Sequence, residues 1–121
     1  MSKKIMVVDD SALSRRTLRR ILETAGYSVV EADEGVAALE PYLIEKPDLV
    51  LLDLVMKGMY GLDVLTKLRE MDADARVIVA SADIQTSTRA MVEEAGAVAY
   101  INKPFGTENV LGAVSSALGG E

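Results

Sequence analysis

The chain has 121 residues, half of them hydrophobic, with one Phe, four Tyr and no Trp, and a formal net charge of −6. That length suits one domain with an aliphatic core, and the negative balance disfavours nucleic acid and anionic membranes as direct ligands. The absence of Cys and His excludes disulfides, thiol nucleophiles, thiolate or imidazole metal sites and any Ser-His-Asp relay.

In chain order, short β-branched runs of strand length alternate with segments of helical spacing. Ile5–Val8 opens the series and is too short for a signal peptide or a spanning helix, so a soluble, cytosolic protein without membrane contact is expected. Ser11 is a candidate N-cap for a helix carrying Leu18, Ile21, Leu22 and Ala25 at three- and four-residue spacing. Its Arg15, Arg16, Arg19 and Arg20 read as a solvated or partner-facing side. Gly26 suits a left-handed helix end ahead of the run Tyr27–Val30. Asp33 is the candidate N-cap of a second helix, in which Pro41 removes a backbone bond and crowds the preceding turn; a kink or early break is expected between Glu34 and Glu45. Leu49–Leu52 is an unbroken apolar run, as a central strand buried on both faces requires. Leu62, Leu65 and Leu68 mark the third helix, Val77–Ala80 the fourth strand, and Gly96 another helix end before Ala97–Ile101. Val110, Val114, Ala117 and Leu118 mark the last helix.

A strand followed by a helix, five times over, predicts an α/β, doubly wound, five-stranded parallel sheet with five helices covering both faces. In such a sheet ligands bind beyond the carboxyl ends of the strands where the strand order reverses, which brings Asp9 and Asp10 beside Asp53. Ser81 and Lys103 stand at the same ends of the fourth and fifth strands. Taken singly, each of these residues has an ordinary explanation as a cap, a turn or a surface loop residue. Together, those explanations would have to coincide at one edge. Clustered carboxylates need a bound divalent cation or a shared proton, and oxygen ligands without His or Cys favour a hard ion, magnesium foremost.

These residues carry a resemblance to the receiver domains of response regulators, specifically the single-domain chemotaxis type, over essentially the whole chain, 1–121. The matching residues are Asp9 and Asp10 with Ser11 and Arg15, Asp53 with Met56 and Gly61, Ser81 followed by Ala82, and Lys103 followed by Pro104 and Phe105. The resemblance implies a flavodoxin-like fold with strand order 2-1-3-4-5. It also implies a two-component signalling switch with self-catalysed phosphoryl chemistry rather than an enzyme acting on an external substrate, controlling a chemotaxis-type target, with a phosphorelay shuttle or a receiver excised from a larger regulator as alternatives. Asp53 would accept the phosphoryl group from a phosphohistidine on a sensor histidine kinase or phosphotransfer protein. Magnesium would be held by Asp10, Asp53 and the backbone carbonyl of Val55, with Asp9 reaching it through water. Lys103 would supply a second positive charge, and Ser81 a hydrogen bond to a phosphoryl oxygen. Movement of Ser81 would let Tyr100, at the switch-aromatic position, turn inward and change the surface of the fourth helix, fifth strand and fifth helix, where Ile84, Asn102 and Phe105 would meet a downstream protein target. The kinase would dock over the first helix, with Ala12, Ser14, Arg15 and Leu18 exposed or half exposed. A cis Lys103–Pro104 peptide and a monomer are expected.

Departures from that pattern are few. Lys57 stands where the family usually has Pro, and Val55 and Asp83 occupy the positions that tune acyl-phosphate lifetime. Ser81 replaces the commoner Thr and keeps the hydroxyl. An aspartyl-phosphate hydrolase is disfavoured, because Asp53-Leu54-Val55 lacks the second carboxylate that would act as general acid and base.

Overall fold

The computed structural model describes residues 3–54, 61–82 and 86–119. Strand and helix alternate as β1 (Lys4–Val8), α1 (Ala12–Thr24), β2 (Ser28–Ala32), α2 (Val36–Glu45), β3 (Leu49–Asp53), α3 (Gly61–Met71), β4 (Val77–Ser81), α4 (Thr86–Glu94), β5 (Ala99–Asn102) and α5 (Thr107–Ala117). All strand pairs are parallel, in the order β2-β1-β3-β4-β5. The expected fold class and order are therefore observed.

Strand periodicity divides the core in two, because successive side chains leave opposite faces of a sheet. Met6, Val8, Val50, Leu52, Val77 and Val79 face one way and pack with Tyr42 of α2, Val64, Leu65 and Leu68 of α3 and Val92 of α4. Ile5, Val7, Leu49, Leu51, Ile78 and Ile101 face the other way, against Leu18 and Leu22 of α1 and Val110 and Val114 of α5. Every residue of β3 and β4 is buried, which accounts for their unbroken apolar runs.

Local chemistry sets the helix ends. Ser11 caps α1, its hydroxyl accepting from the Ser14 N–H at 3.2 Å. Gly26 and Gly96 take φ of 99° and 106°, the left-handed geometry that ends a helix most cheaply at glycine.

Two expectations for α2 are corrected. The helix starts at Val36 behind Gly35, without a side-chain cap, rather than at Asp33. The reason lies in β2, which continues to Ala32 because the Ala32 carbonyl accepts the Asp9 N–H at 3.1 Å. Of the kink or early break expected at Pro41, the break does not occur; the helix continues four residues further and ends at Lys46, whose φ is 49°. The carbonyl that loses its donor is that of Ala37, an exposed residue where water can serve it, while buried Ala38 and Tyr42 hold the helix on the sheet.

Tyr42 also ties α2 to the end of α3, its hydroxyl donating to Asp72 Oδ2 at 2.8 Å. That bond, followed by one from the Asp74 N–H, holds the Asp72 carboxyl below its ordinary 3.8. Burial, then the Asp72 contact, raises the Tyr42 phenol well above 10.0.

Tyr42→Phe is expected to cost about 1 kcal/mol, less than is usual for a bond to a charged acceptor because Asp72 is half exposed. A folded-state carboxyl pKa below the unfolded value stabilises above pH 3.8 and is lost as pH falls through the folded value. A folded-state phenol pKa above the unfolded value stabilises below pH 10.0 and is lost as pH rises further. Urea unfolding across pH should thus show the wild-type advantage over Tyr42→Phe at neutral pH and its decay at both extremes.

Candidate active site

The register of the sheet assembles the site. Val8 pairs with Leu52, so the next residues along, Asp9 and Asp53, stand side by side. Asp53 pairs with Ala80, and Ser81 pairs with Asn102 just before Lys103. Asp9, Asp53 and Ser81 are the buried polar residues of this edge, at 2%, 7% and 2% exposure, while Asp10 lies exposed at its rim.

Carboxylate oxygens of Asp9, Asp10 and Asp53 all lie within 4.8 Å of one another. Such a group of like charges, two of them buried, needs a compensating cation. Lys103 provides one, with Nζ 3.0 Å from Asp9 Oδ2 and 3.3 Å from Asp53 Oδ2. Burial alone would lower the lysine pKa, but the Asp9 hydrogen bond and the Asp53 and Asp9 charges outweigh it and hold the ammonium above its ordinary 10.5. The Lys103 stem is fixed at its base, since the Lys103 N–H donates to the Ser81 carbonyl at 2.9 Å. The Lys103–Pro104 peptide is cis, as expected.

The donor set fits a magnesium ion. It is all oxygen, it converges from two adjacent strand ends, and one member, Asp10, faces water from which further ligands can come. Asp9 has both carboxylate oxygens engaged, Oδ1 by the Ser11 N–H at 2.9 Å and Oδ2 by Lys103.

The response regulator receiver domain family matches residues 5–115. The chain belongs to this family. Among curated relatives of this receiver domain, the chemotaxis protein CheY of Bacillus subtilis (strain 168) is 40% identical over 119 residues, covering 98% of this chain and 99% of that protein. The response regulator MprA of Mycobacterium bovis is 39% identical over 118 residues, covering 98% of this chain but 51% of that protein. A crystal structure of a CheX-CheY-BeF3-Mg2+ complex from Borrelia burgdorferi superposes with a TM-score of 0.91 at 31% identity, over 94% of this chain and 87% of that one.

The structure gathers the expected residues of this receiver domain unequally. Asp9, Asp10, Asp53, Ser81 and Lys103 meet at one edge. Tyr100 is half buried on β5 against the core face lined by α4, with the Arg89 guanidinium 5.5 Å from its ring centre. Asn102 is exposed and Phe105 half exposed, the latter under the Lys103 ammonium at 5.7 Å. Val55, Lys57, Asp83 and Ile84 lie outside the described residues. On α1, Ala12 is exposed and Ser14 and Arg15 half exposed, as expected, but Leu18 is corrected: only 2% of it is exposed. Leu18 and Leu22 share one helix face and anchor α1 to the sheet.

Leu13 is the apolar residue that sequence reading passed over. It is 69% exposed, beside a 460 Å³ groove lined also by Ser14, Thr17, Ala82, Pro104 and Phe105. Its signal is angular: five residues before Leu18, it lies about 140° round the helix from the buried stripe.

Gly61 completes the floor. A Cβ there would lie 2.5 Å from the Asp53 carbonyl oxygen and 2.6 Å from Leu54 Cα and O, all of them backbone. Gly61→Ala should destabilise the fold by about 1–3 kcal/mol and displace the Asp53 backbone, checked by urea unfolding together with magnesium titration. Asp10→Asn removes one of the clustered charges, and in EDTA should raise Tm by about 2–4 °C while abolishing any further rise on adding magnesium. Thermal unfolding with and without magnesium reads both effects.

Proposed function

We propose that this receiver domain is a phosphorylation-activated signalling switch of a two-component system. The observation that carries the reading is the clustering of Asp53 with Asp9 and Asp10 beside the Lys103 ammonium, which stands 3.3 Å from Asp53 and 3.0 Å from Asp9. An acceptor carboxylate so placed has a cation directly beside it, and the lysine stands where an incoming phosphoryl group would place negative charge.

An Asp53 carboxylate oxygen attacks the phosphorus of a phosphohistidine presented by a sensor histidine kinase or phosphotransfer protein. As the O–P bond forms, the N–P bond breaks, and the departing imidazole nitrogen keeps the electron pair and takes a proton from water. Asp10, Asp53 and the Val55 carbonyl would hold magnesium, which neutralises the phosphoryl oxygens. Lys103 pairs with a phosphoryl oxygen, exchanging part of its present contact with Asp53 for it. Ser81, at the adjacent strand end, donates its hydroxyl to another oxygen. The same drawing-in of Ser81 lets Tyr100 rotate inward and alters the face made by α4, β5 and α5, where Asn102, Phe105 and Ile84 would contact the target protein. Turnover is confined to Asp53 itself, so the chain acts as a switch and not as an enzyme on a separate substrate.

Similarity to proteins named CheY favours a chemotaxis-type target. The match to half of MprA supports a second reading, a receiver that works within a longer regulator. The kinase side of the interaction falls to Ala12, Ser14 and Arg15 with exposed Leu13. No helix among the described residues is long and apolar enough to cross a membrane. The net charge of −6 favours protein partners over nucleic acid; a cytoplasmic location and a monomeric state complete the reading.

Incubation with magnesium and acetyl phosphate should place one base-labile phosphoryl group on the wild type and none on Asp53→Asn, as read by intact mass. Undiminished labelling of Asp53→Asn would overturn the assignment of the acceptor. Lys103→Met should lower the labelling rate by about tenfold or more, the usual scale for removing a charge-stabilising donor.

A further inference from the structure

Asp9 is gripped at every polar atom. Its N–H donates to the Ala32 carbonyl at 3.1 Å, Oδ1 accepts from the Ser11 N–H at 2.9 Å, and Oδ2 accepts from Lys103 Nζ at 3.0 Å. Its carbonyl oxygen accepts from Arg15 Nη1 at 2.6 Å. This last contact differs in kind, because the carbonyl belongs to the peptide that joins Asp9 to Asp10. Holding that peptide plane fixes the backbone from which the exposed Asp10 carboxylate projects.

Arg15 is itself held. Its Nε donates to Glu31 Oε1 at 3.0 Å, and the Arg15 side chain is 18% exposed. Glu31 lies on β2 immediately before Ala32, whose carbonyl takes the Asp9 N–H, so the contacts close a ring: Asp9, Ala32, Glu31, Arg15 and back to Asp9. Arg19 locks the other Glu31 oxygen and is steadied by Glu23 Oε2 at 2.7 Å and the Val29 carbonyl at 3.3 Å.

We infer that Arg15 and Glu31 are positioning residues for the cation site: the guanidinium spans β2 and the Asp9–Asp10 peptide and sets where the Asp10 carboxylate stands. The inference rests on the reading that Asp10 is a magnesium ligand. It reverses the sign that charge alone would give. A guanidinium near an acidic cluster opposes cation binding by repulsion, so a purely electrostatic Arg15 would weaken magnesium affinity and its removal would tighten it. A positioning Arg15 does the opposite, since loss of a group that orients a ligand weakens the metal site.

The test is calorimetric titration of magnesium, without phosphodonor, into wild type, Arg15→Gln, Arg15→Lys, Glu31→Gln and Asp10→Asn, each checked for native circular dichroism. Arg15→Gln should bind magnesium about tenfold more weakly although a repelling charge has gone. Arg15→Lys, which keeps the charge but cannot fork between Glu31 and the Asp9 carbonyl, should also weaken by about tenfold. Glu31→Gln should weaken binding in the same direction. Affinity in Arg15→Gln equal to or tighter than wild type would overturn the positioning role. The Asp10→Asn arm separates the two claims: wild-type affinity there would overturn the cation-site reading itself, whatever the Arg15 variants do.

Discussion

Asp9 and Asp53 stand nearly out of water, with a third carboxylate, Asp10, close by and the Lys103 ammonium reaching both buried acids at 3.0 and 3.3 Å. A buried carboxylate needs a partner charge of this kind, and Lys103 supplies one to both Asp9 and Asp53. Three clustered carboxylates against one ammonium leave room for a divalent cation at this edge. Lys103 sits there because β5 delivers it: its backbone N–H bonds to the Ser81 carbonyl at the end of β4. The site's charge balance and the sheet's last ladder are parts of one arrangement.

The rest of the fold makes that edge rigid below and open above. The core faces are filled by aliphatic side chains from β1, β3 and β4, all tightly buried, so the strand ends that carry Asp9, Asp53 and Ser81 have little freedom. Gly61 lets α3 start against the Asp53 and Leu54 backbone, its N–H donating to the Leu54 carbonyl at 2.7 Å. Above this floor, Asp10, Ala82 and Asn102 are exposed. The buried polar side chains sit at the strand ends, and exposed surface lies on the helix starts and loops around them.

The arginines of α1 show how a charged helix face can serve the interior of a site. Arg16 and Arg20 are exposed, whereas Arg15 and Arg19 turn toward Glu31 on the neighbouring strand. Strong mutual hydrogen bonding holds the Glu31 carboxyl below its ordinary value, Arg19 contributing most. One acidic residue of β2 therefore organises two basic residues of α1, and through Arg15 it reaches the backbone of Asp9.

Much of this was legible in the residues alone. Short apolar runs alternating with three-and-four spacing determine a five-stranded parallel sheet, since each pattern can bury its apolar side in only one kind of element. The same alternation places Asp9, Asp10, Asp53, Ser81 and Lys103 at one edge, because parallel strands send all their carboxyl ends to one side. Tertiary packing decided what spacing cannot express. It carried α2 through Pro41 because Tyr42 and Ala38 are held by the core, and moved the helix start from Asp33 to Val36 because β2 is extended by a bond to Asp9. It buried Leu18 and exposed Leu13, a distinction set by which side of α1 meets the sheet. It paired Glu31 with Arg15, residues sixteen apart whose meeting depends on β2 lying beside β1. Local sequence encodes the kind of element and, where a Ser or Gly sits at the terminus, its end; which charges face each other across elements follows only once the strands are laid side by side.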